Sequence, residues 1–145
     1  MPLNFKKTFG FNKDKADEGV WVDIGNDALI KVAKLGTTRY QVALMKHTRK
    51  YQSLIRLNRL DPEGMAEITA NTLADSILLD WKNIAEDDNG AIMPYTRANA
   101  YRMLKDYPDF RALVEMHAND PELFQDGVTD LEADSKNSPT ISNGT

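Results

Sequence analysis

Apolar and polar positions alternate near the start of the chain and predict a β-hairpin over residues 18–35. Val20 and Val22 alternate with a tryptophan and an aspartate. A turn cluster at residues 25–27 separates this run from a second β-rich run at residues 29–32. Because an isolated two-stranded hairpin is marginally stable in water, we expect it to pack on the rest of the chain.

Helical spacing of apolar residues predicts two long helices after the hairpin. The first runs over residues 37–60 with a threonine N-cap, and the second begins at Asp61 and ends near Trp81. The apolar stripe of the first helix contains Tyr40, Ala43, Leu44, Tyr51, Leu54 and Ile55. The first helix has no acidic residue, and the second has no Lys or Arg before Lys82. Antiparallel packing with complementary charges at the rims is therefore expected.

Residues 82–93 predict a second, short hairpin wedged between helices. Its strands would be residues 82–84 and 91–93, with the reversal at Asn89-Gly90, because Asn-Gly supplies the positive φ values of a tight turn. Further helices are expected from Thr96 and from Pro108 onward. The predicted fold class is therefore α+β: a mainly helical domain with an N-terminal β-hairpin, a second short hairpin and flexible termini.

The chain divides into a short arm, one domain and a polar tail. Its 145 residues suit a single domain, which we place at residues 18–126. Residues 1–17 are polar and basic with three phenylalanines interspersed, and predict an extended, mobile arm that docks on its own body or on a partner. Residues 127–145 are rich in Ser, Thr, Asn, Asp and Gly and predict disorder.

Composition narrows the classes of function. The absence of cysteine excludes disulfides and thiolate metal sites and suits a reducing cytoplasm. No apolar run approaches the ~18 residues of a membrane span, and the first residues lack the apolar region of a secretory signal. A net charge of −4 makes the chain as a whole a poor partner for nucleic acid.

Candidate catalytic groups lack the neighbours that catalysis needs. The acids at residues 86–88 predict a solvated turn, because nothing separates their pKa values and the spacing of a calcium loop is missing. His47 and His117 have no metal-binding spacing, and His47 is expected at the edge of the core with one hydrogen bond. We therefore predict a protein that is not an enzyme and has no cofactor or metal.

The basic face of the helix over residues 37–60 leaves one alternative function open. A small nucleic-acid-binding regulator would use its cations to neutralise phosphates. The residues concerned are Arg39, Lys46, Arg49, Lys50 and Arg56. A solvated face opposite the acidic helix explains the same charges without any ligand, and we favour it.

Three stretches in order resemble the tail assembly chaperones of long-tailed phages. The first is EGVWVDIGNDALIKVAKLGTTRYQ, residues 18–41, and the second is ADSILLDWKNI, residues 74–84. The third is NGAIMPYTRANAYRMLKDYPDFRALVEMHAND, residues 89–120. The order and spacing of the three carry the resemblance, since no single motif is diagnostic.

This resemblance implies a role in phage assembly without catalysis. Proteins of that family bind the tape measure protein transiently while the tail tube polymerises. The implied partner is the tape measure protein. Tail tube subunits and further copies of the chain are also expected as partners, and no membrane is. The implied location is the host cytoplasm, with the protein absent from the mature virion. A structural tail component, such as a tail completion protein, is the alternative within phage biology.

Two apolar patches are predicted to contact the partner. The first belongs to the N-terminal hairpin and the second to the region around the predicted second hairpin. Their residues are Val20, Trp21, Val22 and Ile30 in the first, and Trp81, Ile84, Ile92, Met93 and Tyr95 in the second.

Overall fold

The N-terminal hairpin forms as the sequence predicts. A computed structural model describes residues 1–126, and it contains strands β1 (Val20–Gly25) and β2 (Ala28–Val32), paired antiparallel. Asn26 and Asp27 have φ values of 54° and 64°. Asn and Asp adopt this left-handed region more readily than most other residues with a side chain. The two residues therefore close the turn between the strands.

The second hairpin is a wrong prediction. Residues 78–82 form strand β3 (Leu78–Lys82), which pairs antiparallel with β2 in a sheet of order β1-β2-β3. Asn83 then takes a φ of 61°, and among the described residues no strand follows β3. The Met93 amide donates to the Ile84 carbonyl at 2.6 Å, but no ladder develops around this bond. The free edge of β2 offers a better partner than a short local hairpin.

The remaining elements are helices. Their bounds are α1 (Phe5–Phe9), α2 (Lys13–Glu18), α3 (Thr38–Thr48), α4 (Gln52–Arg56), α5 (Pro62–Ser76), α6 (Arg97–Asp106) and α7 (Pro108–Ala118), with 3-10 turns at Arg49–Tyr51 and Pro121–Phe124. The side chain of Asp61 accepts the Gly64 amide at 2.8 Å, and that of Thr37 accepts the Tyr40 amide at 3.2 Å. The predicted N-caps of α5 and α3 are thereby confirmed.

The single helix predicted over residues 37–60 is interrupted. A 3-10 turn joins α3 to α4, and Tyr51 leaves helical geometry with φ −108° and ψ 11°. Its hydroxyl donates a hydrogen bond to Glu67 of α5. The side chain is thus held to the neighbouring helix at the point where the backbone departs from α geometry.

The predicted extended arm is instead two short helices. Asn12 caps α2, and its backbone amide donates to the Phe124 carbonyl at 2.7 Å. Ala16 is buried, whereas Phe5 and Phe9 are exposed. Residues 12–18 therefore dock on the body, and α1 presents its aromatic rings to solvent. The predicted tail at residues 127–145 lies outside the described residues.

The core lies between one face of the sheet and the helices. Antiparallel α5 and α6 are joined at their ends by the ion pairs Lys105–Glu63 at 2.7 Å and Arg97–Asp75 at 2.9 Å. The buried side chains come from the sheet, α5, α6, α7 and the last 3-10 turn. They include Val20, Val22, Ile30, Val32, Leu73, Ile77, Leu78, Trp81, Leu104, Val114 and Phe124. The fold is α+β and mainly helical, as predicted. No helix within residues 1–126 is long and apolar enough to cross a membrane.

Candidate functional site

Most of the residues predicted to contact a partner are buried within the chain. Val20, Trp21, Val22, Ile30 and Trp81 are buried, Ile84, Met93 and Tyr95 are half-buried, and Ile92 is 60% exposed. The five buried side chains are therefore not exposed in the folded chain. Contact of any of them with a partner stays a prediction.

Strand pairing explains this burial. Ile30 lies opposite Val22 on one side and opposite Trp81 on the other, so the three side chains share the face that packs on the helices. Trp21 points to the other face, where the ammonium groups of Lys82 and Lys31 lie 4.7 Å and 5.8 Å from its ring centroid. The hairpin therefore uses its apolar residues to build the core.

The segment between β3 and α6 is fixed to the core by Trp81 and Tyr95. The Trp81 indole donates to the Met93 carbonyl at 2.8 Å, and the Tyr95 hydroxyl donates to the Leu78 carbonyl at 2.6 Å. The two rings meet edge to face with centroids 5.3 Å apart. Burial raises the pKa of Tyr95, so its hydroxyl stays protonated as a donor. These residues have a structural role, and Ile92 alone in this segment exposes a large aliphatic side chain.

Exposed apolar side chains lie in α1, at Phe5 and Phe9, and at residues 49–59, which we call the α4 tip and which falls within the helical body. None of its residues is buried. Leu54, Ile55 and Leu57 are 41%, 43% and 64% exposed. Three neighbouring aliphatic side chains left in water are unusual enough in a monomer to suggest a contact surface.

The α4 tip is exposed because its apolar stripe extends past its cover. Leu54 and Ile55 continue the stripe that packs α3 on α5, where Ala43 is buried. Gly64, in the first turn of α5, has no side chain to contribute. A Cβ at Gly64 would lie 2.7 Å from Leu60 Cδ1, so Leu60 already covers that position. The body therefore has little apolar surface to offer Leu54 and Ile55.

Charge on the α4 tip is positive and largely unpaired. Arg49, Arg56 and Arg59, together with Lys46 just before them, make no ion pair with any residue in 1–126. Acidic neighbours are already engaged. Glu67 binds Lys50 at 3.1 Å and Tyr51, and these hydrogen bonds lower the pKa of Glu67.

Asp75 links three elements at the other end of the α3–α5 pair. His47 Nε2 of α3 lies 2.5 Å from its Oδ2, and Arg97 Nε of α6 donates to its Oδ1 at 2.9 Å. Arg39 donates to its backbone carbonyl at 3.0 Å. Partial burial raises the pKa of Asp75, but the hydrogen bonds from Arg97 and His47 more than offset that effect, so the pKa lies below its usual value. His47 is thus a core-edge residue with one hydrogen bond, as predicted.

Replacing Asp75 tests this arrangement through pH. We expect Asp75→Asn to lower the free energy of unfolding by about 1–2 kcal/mol at pH 7, because charge-assisted hydrogen bonds are lost. Because the pKa of Asp75 is lower in the folded than in the unfolded chain, its carboxylate contributes its full stabilisation above the unfolded-state pKa of about 3.9. This contribution is lost as the pH falls through the folded-state pKa. Urea unfolding should therefore show the difference between variant and parent narrowing below about pH 4.

A matched control for this experiment is Asp88→Asn. Asp88 is exposed and makes no hydrogen bond within residues 1–126. Its replacement should therefore leave the free energy of unfolding within about 0.5 kcal/mol of the parent at pH 7 and at pH 3. A gap between the Asp75 variant and the parent that is the same at pH 7 and pH 3 would contradict the assigned role of the carboxylate.

The acidic turn offers no catalytic pair. Arg102 donates to both oxygens of Glu86 at 3.0 Å and 3.1 Å, and the Tyr107 hydroxyl donates to the same carboxylate at 2.7 Å. Residues 86–88 are exposed, as predicted, and Glu86 in addition ties its loop to α6 and to the start of α7. Within residues 1–126 no group of three or more His, Asp or Glu is placed to hold a metal ion.

A match to a known protein family indicates where the chain comes from. Residues 35–135 match the family model described as YdaY prophage protein. The chain belongs to this family. No curated protein and no solved structure matches it. Membership in the YdaY prophage protein family indicates a phage-derived protein, in line with the phage origin expected from the sequence.

The region shared with the YdaY family begins at Leu35, after β2, and extends past α7. It therefore includes the α4 tip, the Asp75 cluster and the segment held by Trp81 and Tyr95. The hairpin that supplied the first predicted patch lies outside it.

Proposed function

We propose that this protein is a phage tail assembly chaperone that binds the tape measure protein during tail assembly and is then released. In this proposal the protein has no catalytic activity, acts in the host cytoplasm and is absent from the mature virion. Tail tube subunits and other copies of the chain are further candidate partners. The resemblance of residues 18–41, 74–84 and 89–120 to such chaperones and the phage-derived family support the proposal.

The observation that carries the proposal is the uncovered aliphatic surface of the α4 tip. A chaperone for an elongated helical protein has to cover apolar surface that would otherwise aggregate. Completing the burial of Leu54, Ile55 and Leu57 contributes roughly 1–2 kcal/mol for each side chain. Much of that gain is offset by lost translational and rotational freedom on association. A contact of this size suits a partner that has to be released.

Co-expression with a tape measure fragment from the same phage tests the proposal. We expect the fragment to remain soluble and to co-purify with the tagged chain. The double variant Leu54→Glu/Ile55→Glu should reduce the co-purified amount at least tenfold, because it places two charges in the apolar contact. The amount is measured by quantitative gel or mass spectrometry of the eluate.

Met116→Glu provides the matched control. Met116 is 57% exposed on α7, so the change has the same chemistry at a comparable position outside the α4 tip. Co-purification with this variant should equal that of the parent. An insoluble fragment with nothing co-purifying would count against the chaperone proposal.

Two other candidate functions, a structural tail component and a nucleic-acid-binding regulator, would give different experimental results. A structural tail component would be found in purified phage particles, whereas a chaperone would not. A nucleic-acid-binding regulator is favoured by one observation, the unpaired cations Lys46, Arg49, Arg56 and Arg59. Binding of that kind would weaken steeply with added salt, and no retardation of DNA or RNA at low salt would exclude it.

A further inference from the structure

The α4 tip combines aliphatic side chains with positive charge in a way that restricts what binds there. Residues 49–59 include four Lys or Arg residues, namely Arg49, Lys50, Arg56 and Arg59, and no acidic residue, and Lys46 lies one turn before them. The chain as a whole carries a net charge of −4. The tip is therefore a positive region on a negative protein, and its field favours an acidic partner.

Nearby acids leave that positive field in place. Glu63 is bound by Lys105 at 2.7 Å, and Glu67 is bound by Lys50 and Tyr51. Asp61 caps α5 through the Gly64 amide and keeps its negative charge, so the tip stays positive because its cations outnumber this one acid. Of the cations, only Lys50 is neutralised by an acid in the described part of the chain, so four remain for a ligand.

The apolar side chains of the tip favour a protein ligand over nucleic acid. Leu54, Ile55 and Leu57 are aliphatic, whereas single-stranded nucleic acid is held mainly by aromatic stacking. Tyr51, the aromatic residue of the tip, is half-buried and bound to Glu67. Val42 and Met45, one turn apart on α3, are also exposed aliphatic side chains.

We infer that the α4 tip is a docking site for an amphipathic helix whose apolar face is flanked by Asp and Glu. Helices recognise one another through such faces, with anchors at i, i+3, i+4 and i+7. The partner's aliphatic residues cover Leu54, Ile55 and Leu57, and its carboxylates meet Arg49, Arg56 and Arg59. This inference rests on the proposed function in one respect: the tape measure protein is the partner expected to supply such a helix.

A pair of synthetic peptides tests the inference directly. One is a 16-residue helix with Leu at i, i+3, i+4 and i+7 and Glu at the flanking positions, and the other has Lys in place of every Glu. Binding of each fluorescently labelled peptide to the full chain is measured by anisotropy. We expect the Glu peptide to bind at least tenfold more tightly than the Lys peptide, and to weaken with added salt.

Variants locate the contact on the tip. Leu57→Glu should weaken binding of the Glu peptide at least tenfold, and Arg56→Glu/Arg59→Glu should abolish the preference for the Glu peptide over the Lys peptide. All three positions are exposed, so the variants should keep the parent's circular dichroism and melting temperature. Met116→Glu should bind as the parent does. Equal affinity for both peptides, or loss of binding with Met116→Glu as well, would overturn the inference.

Competitors separate the other classes of ligand. A 16-nucleotide single strand and vesicles of phosphatidylcholine with phosphatidylglycerol are added to the peptide complex. We expect neither to displace the Glu peptide at physiological salt, and displacement by either would overturn the inference. The proposed function and this inference can fail independently. A tape measure fragment that does not co-purify counts against the chaperone proposal and leaves the result for peptide binding at the α4 tip unchanged. Co-purification that survives Leu57→Glu would count against the tip alone.

Discussion

Trp81→Ala is expected to lower the free energy of unfolding by about 3–5 kcal/mol. Trp81 is buried between β2 and the helices, and its indole holds the Met93 carbonyl at 2.8 Å. Truncation removes one of the two tryptophans of the sheet, leaves a cavity beside Ile30, and leaves the half-buried Met93 carbonyl without its donor. It also removes the ring against which Tyr95 packs. The loss should appear as a lower urea midpoint and lower melting temperature.

Ile92→Ala is the control for that experiment, because Ile92 belongs to the same predicted patch and is exposed. Its unfolding free energy should stay within about 0.5 kcal/mol of the parent. Similar, small effects for both variants would show that Trp81 is not the core residue described above.

Phe124→Ala is expected to have an effect of similar size, about 3–5 kcal/mol. Phe124 is fully buried although it lies in a short 3-10 turn after the last helix. Its carbonyl accepts the Asn12 amide, so the turn also holds α2 in place. Loss of the ring should loosen both the 3-10 turn and α2. Amide hydrogen exchange should then be faster at Asn12 and Ala16, and the melting temperature should be lower.

Leu123→Ala serves as the matched control, since Leu123 is half-buried in the same turn. We expect it to lower the unfolding free energy by less than half as much as Phe124→Ala. Unchanged exchange at Asn12 with Phe124→Ala would contradict the link between the turn and α2.

Local signals in the sequence predicted local structure well. The turn at Asn26 and Asp27 and the N-caps at Thr37, Asp61 and Thr96 depend on side chains within three residues, and all are present. The packing of the basic helix against the acidic one followed from the complementary charges and apolar stripes, and the Lys50–Glu67 pair lies at that interface.

Structure that depends on distant residues was not predictable in the same way. The apolar run at residues 78–81 fits the end of a helix as well as a strand, and only the free edge of β2 decides between them. The Phe5, Phe9 and Phe11 pattern predicted an extended arm and missed the local N-caps at Asn4 and Asn12. The bond from the Asn12 amide to the Phe124 carbonyl, by contrast, requires the folded body.

The candidate site was missed for a related reason. Leu54 and Ile55 were assigned to a buried stripe, since periodicity shows which face of a helix is apolar but not how far the neighbouring helix covers it. Conversely, Trp21 and Trp81 were predicted to contact a partner, and the structure places both among the buried side chains. Alternation within the strands gave no signal for which face the helices would occupy.

The position of β3 in the sheet has a consequence for synthesis on the ribosome. The hairpin of β1 and β2 is made first, but the strand that completes its sheet follows after α5, and Phe124 follows later still. The nascent chain therefore carries the unpaired edge of β2 and the apolar face of the hairpin until most of the domain has been translated. Pairing β3 with β2 closes the long segment between them, which costs conformational entropy that the late contacts have to offset. We therefore expect the fold to be completed only after Phe124 leaves the exit tunnel.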